Sequence, residues 1–222
     1  MTHETPIKQR LRITFGKLDA LKYTGHLDTA RVWERVLRRA EIPILYSQGF
    51  NARPRLQVAN PLPLGISSEC EIIDVMLKEQ LPTLDGLGEK LESVSPDGLT
   101  IIQIVEVDAR AATLQTLVSS AEYCISFPDM DDTSLLQEKI DTILAAEEIL
   151  IQKKAKRGKT KTVNLRPSIH SLHLDDDGNL IAHLTTGDKG NLRPDVLLQQ
   201  MGLDAEYSTV HRLQLHLEEE EA

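Results

Sequence analysis

GHLDTARVWERVLRRAEIP, residues 25–43, predicts an amphipathic helix and sets the order of the elements around it. Its apolar residues recur at every third or fourth position, which is the spacing of one helical face. Asp28 or Thr29 lies near the expected start of the helix, and Pro43 follows the expected end. Strand patterns flank the helix, one before it and two after it: QRLRITFG (9–16), RPRLQVANPLP (53–63) and CEIIDVMLKE (70–79).

The order of the elements then repeats along the chain. A weaker helix at 83–94 and a strand at 99–108 complete β-α-β-β-α-β, and the same order follows in the second half. Asn51-Ala-Arg-Pro54 and Asn164-Leu-Arg-Pro167 lie 113 residues apart, each where the first helix of a half leads to its second strand. The second half is expected to contain strand 122–128, helix 133–154, strands 162–175 and 180–187, helix 193–202 and strand 209–218.

This repeated order predicts an α+β protein of two tandem ferredoxin-like (βαββαβ) α/β sandwiches. We expect the first domain at 1–110, which carries a basic loop, and the second at 111–222, which ends in an acidic tail. The connecting stretch near 109–121 favours helix and could pack instead of flexing. Each sheet would have helices on one face and leave the other open, and many modules of this shape bind RNA on such a face.

The composition is that of an ordinary globular protein, with 41% hydrophobic and 27% charged residues. The amino-terminal MTHETPIKQR lacks the apolar segment of a secretory signal, and no apolar run approaches the roughly 18 residues of a membrane span. Cys70 and Cys124 form no CxxC and are expected to be buried thiols in a reducing compartment. We therefore expect a cytoplasmic protein with no membrane association.

Charge is distributed unevenly along the chain. The net charge of −9 at pH 7 argues against a general nucleic-acid binder. Residues 8–55, however, contain eleven Lys and Arg against four acids, a formal charge of +7 that leaves −16 for the rest. A second basic stretch, KKAKRGKTK (153–161), contains no acid. A protein that repels polyanions overall can still bind them at such local patches.

The loop YSQGFNARPR, residues 46–55, contains no acid and has the composition of a nucleic-acid contact. Tyr46 and Phe50 could stack on bases. Arg53 and Arg55 alternate along a strand pattern and would therefore point to one face. The alternative is that the two rings are core residues that close the loop. The side chains able to read base edges are Ser47, Gln48 and Asn51.

The helix predicted at 25–43 carries an arginine face. Arg31, Arg35 and Arg38 follow the i, i+4, i+7 spacing of one face, and guanidinium groups match phosphate oxygens bidentately. Glu34 can pair with Arg38, but one acid cannot neutralise the four arginines of the helix. The alternative interpretation is an ordinary solvated helix face.

Histidines suggest a further candidate at the start of this helix. His26 and Asp28 could form an acid–base pair or bind an anion, whereas Asp28 as a helix cap is the simpler alternative. The second-half histidines lack the spacing of known zinc motifs and are interpreted as sheet residues. We predict no metal, no cofactor and no catalytic set. These second-half histidines are His170, His173, His183, His211 and His216.

Residues 25–65, from GHLD to PLPLG, resemble a bacterial family of unknown function, the radical SAM-linked proteins. The shared features are the HLD start, the arginine-rich helix, the YSQGF loop and the PLPLG turn. NLRPSI (164–169) and GNLRPDVL (190–197) also resemble that family, so the resemblance covers nearly the whole chain. Gly25 stands where the family usually has Ser, and Ala52 where it usually has Pro.

The resemblance implies a partner enzyme for this chain but no reaction that the chain itself carries out. Members of that family are encoded beside, or fused to, radical SAM enzymes that also carry a cobalamin-binding domain. The two cysteines of this chain cannot supply the three thiolates of a CxxxCxxC iron–sulfur motif. Radical chemistry would therefore belong to the partner. We expect a non-catalytic accessory or substrate-binding protein for such an enzyme, one that binds structured RNA such as tRNA or rRNA.

Two alternatives stay open. Tandem ferredoxin-like domains also occur in CRISPR repeat-RNA endonucleases, and here His26 beside Tyr46 and Ser47 would be the candidate general base. The other alternative is a purely protein-binding subunit, whose arginines meet acidic residues of the radical SAM partner. The predicted RNA- or partner-binding set is His26, Arg31, Arg35, Arg38, Tyr46, Ser47, Gln48, Phe50, Asn51, Arg53, Arg55 and Arg166.

Overall fold

The structure, a computed structural model, describes residues 6–130, 133–154, 160–188 and 190–218. The chain divides into two compact units. The first comprises the described residues of Met1–Val118 together with those of Leu217–Ala222, and the second is Ser119–His216. Residues 111–118, which we expected to open the second domain, thus belong to the first unit.

An antiparallel four-stranded sheet with helices forms the first unit. Its elements are β1 (Gln9–Lys17), α1 (His26–Arg39), β2 (Leu56–Val58), β3 (Ser67–Leu77), α2 (Leu87–Glu92), β4 (Leu99–Val107) and α3 (Leu114–Leu117). Ile13 in the middle of β1 pairs with Ile73 of β3 on one side and with Ile104 of β4 on the other. The short β2 pairs with β3, so the strand order is β4-β1-β3-β2.

Helix α1 covers one face of this sheet. Alternation along β1 places Leu11, Ile13 and Phe15 on that face, where each is at most 1% exposed. Trp33 of α1 is fully buried and meets the Phe15 ring edge-on, with the ring centroids 4.9 Å apart. Burial of one such phenylalanine side chain contributes roughly 1.5–3 kcal/mol. The helix predicted around Trp33 is therefore confirmed, and its apolar stripe holds it against β1.

The opposite face of this sheet is covered at Arg10, whereas we expected it to be open. Arg10 alternates with the core residues of β1 and is 2% exposed. Its guanidinium donates to Asp74 Oδ2 and to the carbonyl oxygens of Ala111 and Ala112, at 2.8, 2.6 and 2.9 Å. The segment after β4 packs here because its carbonyl groups satisfy a buried cation and because Leu114 is itself fully buried.

Antiparallel strands and helices also form the second unit. Its elements are β5 (Val118–Ser126), α4 (Ser134–Ala145), β6 (Leu150–Lys154), β7 (Thr160–Asn164), β8 (Ile169–Leu174), β9 (Leu180–Thr185), α5 (Pro194–Gln200) and β10 (Thr209–Leu217). The strands of the main sheet that belong to this unit have the order β10-β5-β9-β8, and β6 and β7 form a separate two-stranded sheet. Ile125, Leu180 and Leu184 are fully buried on the core face of the main sheet.

The single long helix predicted for 133–154 is wrong in its second half. Helix α4 ends at Ala145, and Ala146 is already extended at φ −68° and ψ 129°. Residues of β6 then pair with β7, with Ile151 opposite Val163. The apolar residues after Ala145 fit a strand pattern as well as a helical one. The pairing with β7 selects the strand. The hydrophobic periodicity within one segment does not indicate whether that segment pairs with another about ten residues away.

The predicted α+β class is confirmed by this combination of sheets and helices. Cys70 and Cys124 form no disulfide, and both are half-buried instead of buried as expected. Burial of the Cys124 side chain, more than any other effect, raises the pKa of its thiol. In the described part of the chain, no helix is long and apolar enough to span a membrane.

Candidate nucleic-acid interface

The YSQGFNARPR loop is a small hairpin with a well-paired base. Ser47 N donates to Arg53 O at 2.8 Å, and Arg53 N donates to Ser47 Oγ at 2.9 Å. One residue pair further down, Arg55 N donates to Leu45 O at 2.8 Å. Gly49 has a φ of 126°, a backbone conformation that favours glycine at the turn. The pairing presents residues 48–52 as an exposed tip.

The two aromatic residues of the loop lie in different environments. Phe50 at the tip is 110% exposed relative to its reference state, so the core alternative does not hold for this ring. Tyr46 is 36% exposed, and its hydroxyl donates to Glu34 Oε1 of α1 at 3.4 Å. Burial, followed by the nearby Glu34 carboxylate, raises the pKa of the Tyr46 hydroxyl. Tyr46 therefore ties the loop to the helix, while Phe50 is free to contact a ligand.

The Arg53 groove, defined by Leu27, Arg31, Glu34, Arg53 and Leu56, lies between α1 and the end of the loop. Its volume is about 440 Å³. Arg31 lies four residues after Leu27, and Glu34 lies three residues after Arg31. These spacings place the three side chains in a single stripe along the helix. Cationic and apolar side chains thus share one open surface.

The Lys78 groove, defined by Arg38, Glu41, Pro43, Tyr46 and Lys78, continues along the same side of the helix. Its volume is about 550 Å³. Arg38 lies four positions after Glu34 and extends the stripe of the Arg53 groove. Since Tyr46 lines this groove and Glu34 lines the other, their hydrogen bond lies where the two grooves meet.

The arginines of this surface are only weakly neutralised. Arg31 Nη1 donates to Asp28 Oδ1 at 3.0 Å, but the two side chains are 68% and 60% exposed. An exposed pair of this kind is worth about 0–1 kcal/mol and is easily exchanged for another anion. In the described parts of the chain, no carboxylate forms an ion pair with Arg35, Arg38 or Arg53. The surface therefore keeps a local positive charge.

Asp28 is not the cap of α1. Gly25 is the N-cap residue, and it makes no side-chain cap hydrogen bond. The Asp28 carboxylate bonds Arg31 one turn further along instead. Neither the cap nor the acid–base pair with His26 that the sequence suggested is the contact that Asp28 makes here.

The structure brings together much of the predicted binding set and separates the rest. The loop and the two grooves unite Arg31, Arg38, Tyr46, Ser47 and Arg53. Four further members also lie in the first unit: Arg35 is exposed on the neighbouring arc of α1, Gln48 and Asn51 are exposed at the loop tip, and Arg55 is half-buried.

Arg166 is placed differently from its sequence echo Arg53. It belongs to the second unit, where its Nη1 donates to Ile169 O at 3.1 Å and its Nη2 to Leu144 O at 3.2 Å. Leu144 lies in the last turn of α4, so the guanidinium satisfies a carbonyl at the helix end. This arginine already has a structural role. Its assignment to a binding surface stays a prediction.

His26 lies at the first residue of α1 and is exposed. Tyr46 contacts Glu34, which lies eight residues after His26 and therefore about 12 Å further along the helix axis. The hydroxyl of Ser47 accepts a hydrogen bond from Arg53 N within the loop. The role of His26 as the general base of an endonuclease stays a prediction.

The second-half histidines contain a feature that the sequence interpretation missed. His170, His183 and His216 lie side by side in the second unit, with ring centroids 4.6 and 4.8 Å apart between neighbours. These residues come from three different strands, β8, β9 and β10. Alternation within each strand could have placed each ring on a face, but only the strand order and register place them in one row.

Comparison with known proteins identifies the family. Residues 10–194 match the family described as an uncharacterized protein conserved in bacteria (DUF2344), and the chain belongs to this family. No curated protein matches the chain.

A structural similarity is found to a chain in the "Crystal Structure of a Cbf5-Nop10-Gar1 Complex". The two chains are 8% identical with a TM-score of 0.42, and the match covers 96% of this chain and 50% of the other. This chain thus spans half the length of the chain it resembles.

Proposed function

We propose that the protein is a non-catalytic accessory protein that binds structured RNA, such as tRNA or rRNA, for a radical SAM enzyme. The observation that carries the RNA part is the fully exposed Phe50 on a loop whose base is fixed by paired backbone groups. An aromatic ring held in solvent is suited to stacking on an unpaired base. Arg53 stands at the edge of the same loop, next to the arginine stripe of α1.

The arrangement of the cations supports contact with a phosphate backbone. Arg31 and Arg38 are two turns apart on one side of α1, and Arg53 faces the same side from the loop. Guanidinium groups bind phosphate oxygens through two parallel hydrogen bonds. Structured RNA offers both partners that this surface needs, since its helices present phosphates and its loops present unstacked bases.

We propose further that both units have the ferredoxin-like topology. The first unit follows β-α-β-β-α-β with the strand order β4-β1-β3-β2. The second follows the same order with the β6–β7 sheet inserted, and its main sheet runs β10-β5-β9-β8. In each case the first and third strands of the β-α-β-β-α-β order lie in the centre, β1 and β3 in one unit and β5 and β9 in the other, as expected of a duplicated unit.

The radical SAM partner is the part of the proposal that rests on the family resemblance of residues 25–65. A division of labour is chemically reasonable, because two cysteines cannot ligate the cluster that generates the radical. The partner would carry out the reaction, and this chain would hold or orient the RNA. The Arg53 groove and the Lys78 groove are then substrate-binding surfaces.

A protein-binding subunit is the second candidate, and one observation favours it. Tyr23, Leu27 and Leu64 are each about two-thirds exposed, at 66%, 67% and 65%. Leu27 lines the Arg53 groove, and Gly65 N, next to Leu64, donates to the carbonyl of Lys22 beside Tyr23. Exposed apolar side chains beside arginines are also typical of protein interfaces.

The test is binding of fluorescently labelled bulk bacterial tRNA to purified full-length protein. We compare wild type with Arg31→Gln/Arg38→Gln/Arg53→Gln, which removes three cations of the grooves. The matched control is Lys8→Gln/Lys90→Gln/Arg193→Gln, which removes three exposed cations elsewhere and changes the net charge equally. We expect the groove variant to lose about tenfold or more in affinity at moderate salt and the control to lose little.

The outcomes separate the two candidates. Equal binding by the two triple variants would show that only bulk charge matters, and absence of tRNA binding by wild type would exclude the RNA function. Crosslinking in the native cell then addresses the partner. A radical SAM protein crosslinked to wild type but not to the groove variant, without RNA, would favour the protein-binding subunit.

A further inference from the structure

The row of histidines in the second unit is aligned with a carboxylate. Glu122 of β5 pairs directly with His183 of β9 in the strand register. The strand order places β10, with His216, on the other side of β5. Glu122 therefore lies between two imidazoles on the sheet face opposite the buried Ala121 and Tyr123. All three side chains are half-buried.

Hydrogen bonds hold the three side chains in position. Glu122 Oε1 lies 2.8 Å from His216 Nε2, and His183 Nε2 lies 2.8 Å from Ser120 Oγ. Metal-binding histidines in proteins commonly have one ring nitrogen fixed by such a neighbouring oxygen, which orients the ring. Ser120 is two residues before Glu122 on the same strand, so it lies on the same face.

We propose that Glu122, His183 and His216 bind a divalent transition-metal ion. One ligand atom of each residue lies within 4.8 Å of the other two. In a tetrahedral site with bonds of about 2.0–2.2 Å, ligand atoms lie roughly 3.3–3.6 Å apart. A pair of ligand atoms at that 4.8 Å limit would therefore have to approach by about 1.2–1.5 Å, which side-chain rotations of half-buried residues can achieve.

The ligand types point to the class of metal. Two imidazoles and one carboxylate form the set found in His2Glu zinc sites and in non-haem Fe(II) sites, both of which leave coordination positions open. Imidazole nitrogens disfavour Ca²⁺ and Mg²⁺, which prefer oxygen ligands. The single carboxylate offsets part of the charge of a divalent ion while both imidazoles stay neutral.

The bulge at His170 adds a second structural observation. Pairing of β8 with β9 shifts register between Ile169 and Ser171, so His170 lies at a β-bulge. Bulges commonly re-aim a side chain next to a functional site. Here the His170 ring packs 4.6 Å from the His183 ring, and its Nε2 lies 3.0 Å from Thr185 Oγ1. The bulge places a third imidazole beside the proposed ligands.

This proposal is independent of the RNA-binding function, because its residues lie in the second unit and the grooves in the first. The test is calorimetric titration of untagged full-length protein with ZnCl₂ at neutral pH. We expect saturation at one equivalent and a rise in melting temperature with Zn²⁺, since an ion that binds only the folded state stabilises it. Lower pH should weaken binding, because the imidazoles must be deprotonated to coordinate.

The variants are Glu122→Gln and His183→Gln, and His173→Gln is the control. His173 is exposed on β8 and lies outside the row. Each ligand variant should weaken Zn²⁺ binding by about tenfold or more, and the control should bind as wild type does. Co²⁺ provides a second readout, because its visible absorption reports the coordination geometry.

If His183→Gln fails to fold, Glu122→Gln and the Co²⁺ spectrum still decide the question. Failure of wild type to saturate at one equivalent would overturn the proposal. Equal Zn²⁺ affinity in wild type and in a folded Glu122→Gln variant would also overturn it.

Discussion

Asp74 on β3 pairs with Arg10 on β1, and the side chains are 0% and 3% exposed. Arg12 shares the same carboxylate, with its Nε donating to Oδ1 at 2.9 Å and its Nη2 to Oδ2 at 3.0 Å. One buried acid therefore pairs with two arginines on the face of the sheet opposite α1. The carbonyl groups of Ala111 and Ala112 complete the coordination of the Arg10 guanidinium.

We predict that Asp74→Asn lowers the free energy of unfolding by roughly 3–5 kcal/mol. The substitution keeps the shape of the side chain but leaves a buried cation uncompensated, which is the costly way to break a buried pair. Urea unfolding followed by circular dichroism measures the loss. Asp28→Asn is the matched control, because the exposed Asp28–Arg31 pair should contribute only about 0–1 kcal/mol. Equal losses in the two variants would contradict the assignment.

Phe50→Ala should leave stability unchanged to within about 0.5 kcal/mol, because the ring is fully exposed. If the ring stacks on a base, the same variant should lose roughly 1–3 kcal/mol of RNA-binding free energy. Thermal melting and tRNA titration measure the two effects. Phe15→Ala is the contrast, since its ring is fully buried against Trp33 and its removal should cost about 3–5 kcal/mol of stability.

The two measurements on Phe50→Ala distinguish a ring that packs in the core from a ring that stacks on a base. A Phe50→Ala protein that melts well below wild type would mean that the ring is buried in solution. An RNA affinity equal to that of wild type in a stable Phe50→Ala protein would mean that the loop tip does not contact the RNA.

Local sequence patterns predicted the elements that local interactions determine. The stripe around Trp33 identified α1, and strict alternation identified β1, because both periodicities repeat within one element. The strand predicted at 53–63 is mostly irregular, and only Leu56–Val58 is regular. The preceding residues pair within the loop instead, as Ser47 does with Arg53, and this competition is not visible in a hydrophobic pattern.

The features that were missed depend on contacts between different elements. Helix 133–154 was predicted too long because β6 is specified by its pairing with β7. The row of histidines required the register of Glu122 with His183 and the order of three strands. Arg166 shares the N-x-R-P pattern with Arg53 but bonds two carbonyl groups, since an identical short motif does not specify its surroundings.

The hydroxyl of Tyr46 should ionise at a higher pH than in the unfolded chain. Burial, and next the Glu34 carboxylate, raises its pKa above the ordinary value of about 10. A group whose pKa is raised on folding contributes stability below its unfolded pKa and loses it as the pH rises through the folded pKa. The measurement is a titration of the ultraviolet absorbance against pH. Subtracting the curve of Tyr46→Phe from that of wild type leaves the ionisation of the Tyr46 hydroxyl.

Glu34→Gln provides the control for the cause of that shift. Removing the carboxylate should move the ionisation of Tyr46 to lower pH, although burial should keep it above that of the unfolded chain. A Tyr46 that ionises at the same pH in folded and urea-unfolded protein would show that neither its burial nor its contact with Glu34 is maintained in solution.

Arg38→Gln should weaken tRNA binding and lower the slope of log K against log salt by about one unit. A phosphate contact releases condensed counterions when it forms, so each lost contact removes its share of the salt dependence. Arg193→Gln is the control: it makes the same change in charge at an exposed residue of the second unit that pairs with Asp195. Phe50→Ala should lower affinity with little change in slope, because stacking releases few ions. An unchanged slope in a stably folded Arg38→Gln protein would remove α1 from the RNA-binding surface, and the same variant would then be tested for loss of the radical SAM partner.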